Sequence, residues 1–133
     1  MDGLRRSARG EINRLPCVFS VALNRRCAVC SLAQMDAEQC SCTQPLARAA
    51  CAGLHGLLRE KSRFALGQRG DKPTVIEETR LQCGGLAGLH AALDGDTVAI
   101  DVQRLLERIA EGGMDDLAWE PVLRAVGQWQ AGR

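Results

Sequence analysis

The chain has 133 residues, a net charge of +1 and only 3% aromatic residues. A chain of this length builds one hydrophobic core, which excludes a second independent domain. The small net charge argues against nucleic acid as a partner, and no run of about 18 apolar residues is present that could insert into a membrane. Strands are normally rich in aromatic and β-branched residues, so the composition favours packed helices.

The sequence divides into three segments. Residues 1–14 contain four arginines and two glycines without clear periodicity, which predicts a flexible basic arm. Residues 15–43 contain five of the seven cysteines, and their apolar residues follow neither a helical nor a strand period. This predicts short turns folded around a metal site. Residues 44–133 are predicted to form a helical domain that makes a single compact unit with the cysteine-rich segment.

The first two helices are predicted from their start signals. One is expected from Pro45 to Leu66 with Thr43 as its cap. The second is expected from Val75 to Leu93, because Thr74 and Glu77 fit the capping-box pattern. The buried stripe of the first helix is expected to contain Leu46, Ala50, Leu54, Leu57 and Phe64.

Two further helices complete the predicted domain. The third is expected to stop at Gly112 and Gly113, and nearby aspartates favour its N-terminal end. The last lies between Asp116 and Trp129, with Pro121 either starting or kinking it. The apolar residues that mark the third helix are Val98, Val102, Leu105, Leu106 and Ile109. The predicted fold class is therefore mainly α, a small domain of about four helices with an irregular N-terminal cysteine-rich metal-binding segment.

The first two predicted helices share the pattern Cys-x-Gly-Leu-x-Gly-Leu, which begins at Cys51 and again at Cys83. A glycine inside a helix costs on the order of 1 kcal/mol relative to alanine, so the repeated glycines indicate a compensating close approach. The approach is either to a second helix backbone or to a bulky inorganic group. With equal weight, the pattern indicates a tight helix crossing in which both cysteines are small buried apolar residues.

The cysteines carry the predicted chemistry. Cys27 and Cys30 are separated by two residues, and Cys40 and Cys42 by one, so each pair can bind one metal through both sulfurs. The first 30 residues lack the pattern of a secretory signal, which predicts a cytoplasmic protein. Cytosolic thiols are kept reduced and are expected to bind metal rather than form disulfides. The full predicted ligand set is Cys27, Cys30, Cys40, Cys42, Cys17, Cys51 and Cys83.

Thiolate ligands are compatible with zinc and with iron–sulfur clusters. A four-thiolate zinc site would use the two closely spaced pairs and leave Cys17, Cys51 and Cys83 without a role. An iron–sulfur cluster can draw ligands from distant positions, which makes 4Fe–4S the preferred cofactor, with 2Fe–2S and zinc as alternatives. The spacings of the common ferredoxins are absent. Arg25 and Arg26 would favour thiolates with either metal.

The two histidines give a lower-ranked metal hypothesis. His55 follows Cys51 by four residues, and His90 follows Cys83 by seven, so each histidine can share a helix face with a cysteine. A zinc site formed by these four residues is geometrically conceivable. A surface or core position for each histidine is the preferred interpretation.

These patterns predict a small iron–sulfur protein that transfers electrons or serves as an auxiliary or assembly subunit of a larger redox enzyme. Catalysis by the chain on its own is not favoured. The first alternative is a zinc-stabilised protein–protein adaptor without a redox role, and the second is a cluster-based redox-sensing regulator. Each hypothesis implies a larger protein partner. Trp119 and Trp129 are candidate docking anchors, although core positions are preferred for them.

Overall fold

The fold is taken from a computed structural model, which describes residues 15–35, 39–65, 72–94, 99–113 and 117–130. Within these ranges the chain forms five helices and one three-stranded antiparallel sheet. The predicted mainly helical class is confirmed, whereas the sheet was not predicted. Among the described residues, no helix combines the length and apolar character needed to cross a membrane. The predicted arm, residues 1–14, lies outside the described ranges.

The cysteine-rich segment is built from very short elements. They are β1 (Leu15–Pro16), α1 (Ser20–Asn24), β2 (Ala33–Met35) and β3 (Cys40–Cys42). Strand β3 lies in the middle of the sheet and pairs with both neighbours, so that Leu15 and Ala33 both lie opposite Cys42. The sequence predicted only turns here, because elements of two to five residues are too short to show a recognisable period.

Helix α2 (Pro45–Ala65) begins at the predicted proline. Its first turn is closed by a hydrogen bond from the backbone N–H of Arg48 to the carbonyl of Gln44, with an N–O distance of 2.9 Å. The predicted cap is wrong. The hydroxyl of Thr43 donates instead to the carbonyl of Leu32 at 2.9 Å, and this bond attaches the start of the helix to the turn before β2.

The buried face of α2 also differs from the prediction. Leu54 is buried as expected, but Leu46 and Phe64 are 88% and 93% exposed. The residues of α2 that are buried in the core are Cys51, Leu54, Leu58 and Ser62. The prediction was based on the hydrophobicity of the side chains. Whether a residue is buried depends instead on its position around the helix axis. A cysteine on the inner face then acts as a small apolar residue.

Helix α3 is continuous and consists of Val75–Thr79, a π-helical turn at Arg80–Gly84, and Gly85–Asp94. The capping box is confirmed. The backbone N–H of Glu77 donates to the Thr74 hydroxyl at 3.1 Å, and the backbone N–H of Thr74 donates to the Glu77 carboxylate at 2.8 Å. The π-helical turn is wider than an α-helical turn, because its hydrogen bonds join residues five apart instead of four. Four successive residues of this turn are buried: Leu81, Gln82, Cys83 and Gly84.

Helices α4 (Val102–Gly112) and α5 (Trp119–Gln128) complete the domain. Asp101 caps α4 by accepting from the backbone N–H groups of Gln103 and Arg104, and Gly113 ends it with a φ of 84°. The C-terminal end and the aspartate at the N-terminal end agree with the prediction, but α4 begins at Val102, and Val98, which the prediction included, lies outside the described residues. Pro121 is the third residue of α5, where its missing N–H leaves no helical bond unmade, so it lies in the first turn and does not kink the helix.

Glycines bring α3 and α5 together. A Cβ atom at Gly84 would lie 2.7 Å from the Cα of Val126, and one at Gly88 would lie 2.9 Å from the Cα of Val122. Real side chains do not tolerate such distances to backbone. The predicted close helix approach is therefore present in α3, but its partner is α5. In the repeated pattern Gly53 and Gly56 of α2 correspond to Gly85 and Gly88. Both glycines of α2 face open space, whereas Gly85 lies against the Leu58 side chain.

One hydrophobic core contains contributions from all five helices. Trp119 and Trp129 pack against its edge and are partly buried, with Lys61 and Arg25 placed over their respective rings. The largest fully buried side chains of the core are Phe19, Leu54, Leu58, Leu81, Leu86, Leu89, Val102, Leu105, Val122 and Val126. The cysteine-rich segment contributes Phe19 to this core, so it packs on the helices as part of the same unit.

Candidate metal centre

Five of the seven cysteines meet in one region, which we call the thiol cluster: Cys17, Cys30, Cys40, Cys42 and Cys51. Four of them, all except Cys40, line the same cavity. The Cys40 thiol lies beside the cavity and accepts a hydrogen bond from the thiol of Cys17. The five residues come from the segment before α1, the turn before β2, strand β3 and helix α2. Thiols from four separate parts of the chain therefore converge.

Local structure explains how each thiol reaches the cluster. Cys40 and Cys42 occupy alternate positions of β3, and alternate residues of a strand project from the same face. The backbone N–H of Cys17 donates to the carbonyl of Cys40 at 3.0 Å, which fixes the segment before α1 beside β3. Cys51 lies on the inner face of α2, where it is 7% exposed. Thus Cys51 joins the cluster because α2 packs against the sheet with this face.

The cavity has mainly apolar walls with two polar side chains. Gln103, in the first turn of α4, donates a hydrogen bond from Nε2 to the Cys30 sulfur at 3.4 Å and also bonds Cys51. Arg48 donates from Nε to the carbonyl of Pro16 at 2.7 Å and lies close enough to act on the Cys51 thiol through its charge. The apolar lining consists of Val18, Phe19, Leu23, Ala33 and Val102. Neither Arg48 nor Gln103 carries a sequence signal that would have identified it.

Burial controls the protonation of the cluster thiols. It raises the pKa of Cys17 to about 12 and that of Cys51 to about 11, and it also raises the pKa of Cys40. Neighbouring thiols add to the effect, because a second negative charge close by is unfavourable. Without a bound cation, these thiols hold their protons at neutral pH. A metal that binds here must displace those protons and supply the positive charge that stabilises the thiolates.

The donor atoms suit a soft metal, since thiolates select zinc and iron–sulfur clusters. The enclosed space is about 10 Å³, close to the smallest cavity that can hold one water molecule. Within the described ranges, no three His, Cys, Asp or Glu side chains are grouped closely enough to hold one metal ion as they stand. Metal binding would therefore require the thiol side chains to reorient.

Cys27 and Cys83 lie apart from the cavity lining and contact each other. The thiol of Cys27 is a side-chain neighbour that helps to raise the pKa of Cys83. Cys83 lies in the π turn of α3, while Cys27 follows α1 in the chain. The sequence grouped Cys27 with Cys30, Cys40 and Cys42 because of its spacing, but the structure gives Cys27 a different thiol neighbour.

The histidines have other surroundings. His55 Nε2 lies 2.7 Å from a carboxylate oxygen of Glu78, and its ring packs edge-on against Phe19. Burial would raise the pKa of Glu78, but hydrogen bonds from His55 and Gln82 outweigh burial and hold it below its ordinary value. His90 is half-buried on α3. Neither histidine is among the residues that line the thiol cavity.

Comparison with protein-family models, with curated proteins and with solved structures gave no match. A function for this chain therefore has to be inferred from its own residues.

Proposed function

We propose that this protein binds an iron–sulfur cluster through four of the five cysteines of the thiol cluster and acts in electron transfer, or as an auxiliary or assembly subunit of a larger redox enzyme. The observation that supports this proposal is the convergence of five thiols from four separate parts of the chain. When bound, such a cluster supplies one-electron redox chemistry. The protein contributes the thiolate ligands and their surroundings.

Two features of the thiol cavity fit an iron–sulfur cluster. Its walls are apolar, and Gln103 donates a hydrogen bond to the Cys30 sulfur, which is a contact that adjusts the reduction potential of a cluster. The positive charge of Arg48 beside Cys51 would offset part of the negative charge of a thiolate complex.

Structural zinc in a protein–protein adaptor is the second candidate, and the size of the cavity favours it. A space of about 10 Å³ has room for a single ion, whereas a cluster of several irons requires the cavity lining to move outward. A zinc site of four thiolates would join the sheet to α2 without any redox role.

Exposed apolar side chains near the thiol cluster support a protein partner. Val29 and Met35 are each about half exposed, and Leu46 is 88% exposed. Val29 precedes Cys30 in the chain, Met35 lies opposite Cys40 in the sheet, and Leu46 follows β3 by four residues. Small transient interfaces are typical of electron-transfer pairs. We propose that the redox partner contacts these exposed side chains with a small apolar surface.

The test is anaerobic purification of the full chain, followed by iron, zinc and sulfide analysis and a visible absorption spectrum. We expect iron and sulfide in equal amounts and a broad visible absorption that bleaches on reduction. A colourless protein that holds one zinc per chain and no sulfide would overturn the iron–sulfur proposal and support the zinc adaptor.

Single serine variants test the ligand set. We expect Cys30→Ser and Cys51→Ser to lose most of the bound metal, because each removes a thiol from the cavity wall. Cys27→Ser and Cys83→Ser are the matched controls and should retain it, since these two thiols contact each other. Loss of metal in Cys27→Ser would instead support the ligand set that the sequence spacing predicts.

A further inference from the structure

The Cys27–Cys83 pair is the thiol group that the proposed metal centre does not use. Cys83 is almost completely buried, at 1% exposure, whereas Cys27 is partly exposed. The charged and thiol neighbours that act on Cys83 are Cys27 and Arg25, and none of them belongs to the thiol cluster. The pair is therefore a separate thiol site, set between the end of α1 and the π turn of α3.

Both cysteines are held in place by their backbones. The N–H of Cys27 donates to the carbonyl of Ala22 at 2.9 Å. On the other side, Gly84 follows Cys83 directly and lies against the backbone of α5. The backbone N–H of Ala22 in turn donates to the side chain of Gln82, the residue before Cys83, at 3.1 Å, so the two cysteines lie on adjoining backbone segments.

We propose that Cys27 and Cys83 form a reversible dithiol site, which closes to a disulfide by exchange with a low-molecular-weight disulfide such as glutathione disulfide. The Cys27 thiolate attacks one sulfur of glutathione disulfide and releases one glutathione thiolate, which leaves a mixed disulfide on Cys27. Cys83 then loses its proton, attacks the Cys27 sulfur and releases the second glutathione. In sum, two protein thiols are oxidised to one disulfide, and one glutathione disulfide is reduced to two thiols.

The surroundings fix which thiol reacts first. Cys27 is the more exposed member of the pair and is accessible to a dissolved disulfide, whereas Cys83 is only 1% exposed. Burial raises the pKa of Cys83 to about 12, and the neighbouring Cys27 thiol adds to this rise, while the charge of Arg25 lowers it. Cys27 is therefore the attacking thiol, and Cys83 is the buried thiol that completes the disulfide.

The disulfide would join the two parts of the molecule. Cys27 belongs to the cysteine-rich segment and lies three residues before Cys30 of the thiol cluster, whereas Cys83 lies at the centre of α3. Closing a loop of this length restricts the unfolded chain. Oxidation is thus expected to raise the unfolding midpoint and to fix the turn that carries Cys30.

The experiment treats the anaerobically purified full chain with glutathione disulfide, alkylates the remaining thiols, digests with trypsin and identifies linked peptides by mass spectrometry. Cys27 lies on the tryptic peptide 27–48 and Cys83 on the peptide 81–104. We expect these two peptides to be linked with the loss of two hydrogens, with the other three cysteines of 27–48 alkylated. The link should disappear after reduction, in Cys27→Ser and in Cys83→Ser.

Several results would overturn the proposal: alkylation of both Cys27 and Cys83, a stable glutathione adduct on Cys27 without a link, or a link of peptide 27–48 to 15–25 in place of 81–104.

The Cys51→Ser variant separates this proposal from the metal proposal. It is expected to lose metal but to form the same link, because Cys51 lies on a different tryptic peptide and in the thiol cluster. A folded Cys51→Ser protein that loses the link would contradict a separate dithiol site.

Discussion

The two parts of the molecule pack in different ways. The first part is the cysteine-rich segment, residues 15–43, and the second is the helical part from Pro45 to Gln128. In the first, strands of two or three residues and one short helix meet around a cavity lined by thiols. In the second, α5 lies directly on α3, because Gly84 and Gly88 leave no side chain between the two backbones.

This difference implies that the two parts respond to different changes. The stability of the cysteine-rich segment should depend on metal and pH. The stability of the α3–α5 contact should depend on the size of the side chains placed between the two helices. The two parts share one core, in which Phe19 packs with buried residues of the helices, and hydrogen bonds also join them. Gln82 of α3 accepts from the backbone N–H of Ala22 at 3.1 Å, and Val29 exchanges two backbone hydrogen bonds with Ile100 and Val102. The predictions below test how far this separation holds.

Metal removal should produce the largest effect. Chelation from the purified protein is expected to abolish amide protection in β1, β2 and β3, because metal binding contributes directly to the stability of the segment that supplies its ligands. Protection in α3 and α5 should change little. Hydrogen exchange followed by mass spectrometry measures both regions at once, and an equal loss of protection in α3 and α5 would contradict the separation.

Alkaline pH should destabilise the metal-free protein. Burial raises the pKa of Cys17 and Cys83 to about 12 and that of Cys51 to about 11, from an ordinary value of 9.0. Above pH 9 the unfolded chain loses these protons before the folded chain does, so stability falls until the folded thiols also ionise. Below pH 9 the contribution of these thiols is fully present.

Few other groups titrate in this range, since the chain has no tyrosine and two lysines. Urea unfolding midpoints of the reduced protein should be similar at pH 7 and pH 8 and clearly lower near pH 10.5. Cys17→Ser should reduce this dependence. A midpoint that stays constant up to pH 10.5 would show that the thiols are not buried as described.

A matched pair of glycine substitutions tests the helical part. Gly88→Ala places a Cβ 2.9 Å from the Cα of Val122, so α5 must move, and we expect a cost of about 1–3 kcal/mol. Gly56→Ala, at the corresponding position of the repeated pattern, meets nothing within 4 Å. It should stabilise by up to about 1 kcal/mol through helix propensity. Thermal or urea unfolding measures both, and equal effects of the two substitutions would contradict the close crossing.

A smaller effect is expected from Gln82→Met, which keeps the size of the side chain but removes the link between α1 and α3. The backbone N–H of Ala22 would lose its acceptor, and Glu78 would lose the donor that lies 2.6 Å from its carboxylate. An unsatisfied buried group costs about 1–3 kcal/mol, and the better-packed methionine offsets part of this. We expect a net loss of about 1 kcal/mol by urea unfolding. A stabilised variant would show that the link is dispensable.

Much of the helical framework could be predicted from the sequence, because helix ends depend on residues close in the chain. Thr74 and Glu77 form the predicted capping box, and Gly113 ends α4 where expected. The three short strands and α1 could not be predicted, since their pairing depends on residues far apart. The same limit explains why the exposed positions of Leu46 and Phe64 were missed.

The ligand set that the sequence predicts stays a prediction, but the structure shows how its thiols are arranged. The sequence identified every cysteine of the thiol cluster, because thiols are recognisable wherever they occur. Their grouping was different from the one that the spacing predicts, with Cys51 at the cavity and Cys27 beside Cys83. Spacing limits only the local loop. It carries no information on which distant helix will present a thiol or a donor such as Gln103.

By itself, the sequence determined the mainly helical class, the helix boundaries set by caps, and a segment dense in thiols. These properties follow from interactions among near neighbours, which the order of residues specifies directly. Only the tertiary structure decided that four thiols line one cavity with Cys40 beside it, while Cys27 lies beside Cys83. It also decided that Gly84 and Gly88 of α3 lie against α5, while the glycines of α2 face open space. Those outcomes depend on how the helices pack against one another. Packing depends on where each residue lies in space, and neither the spacing of residues in the chain nor their hydrophobicity specifies that position.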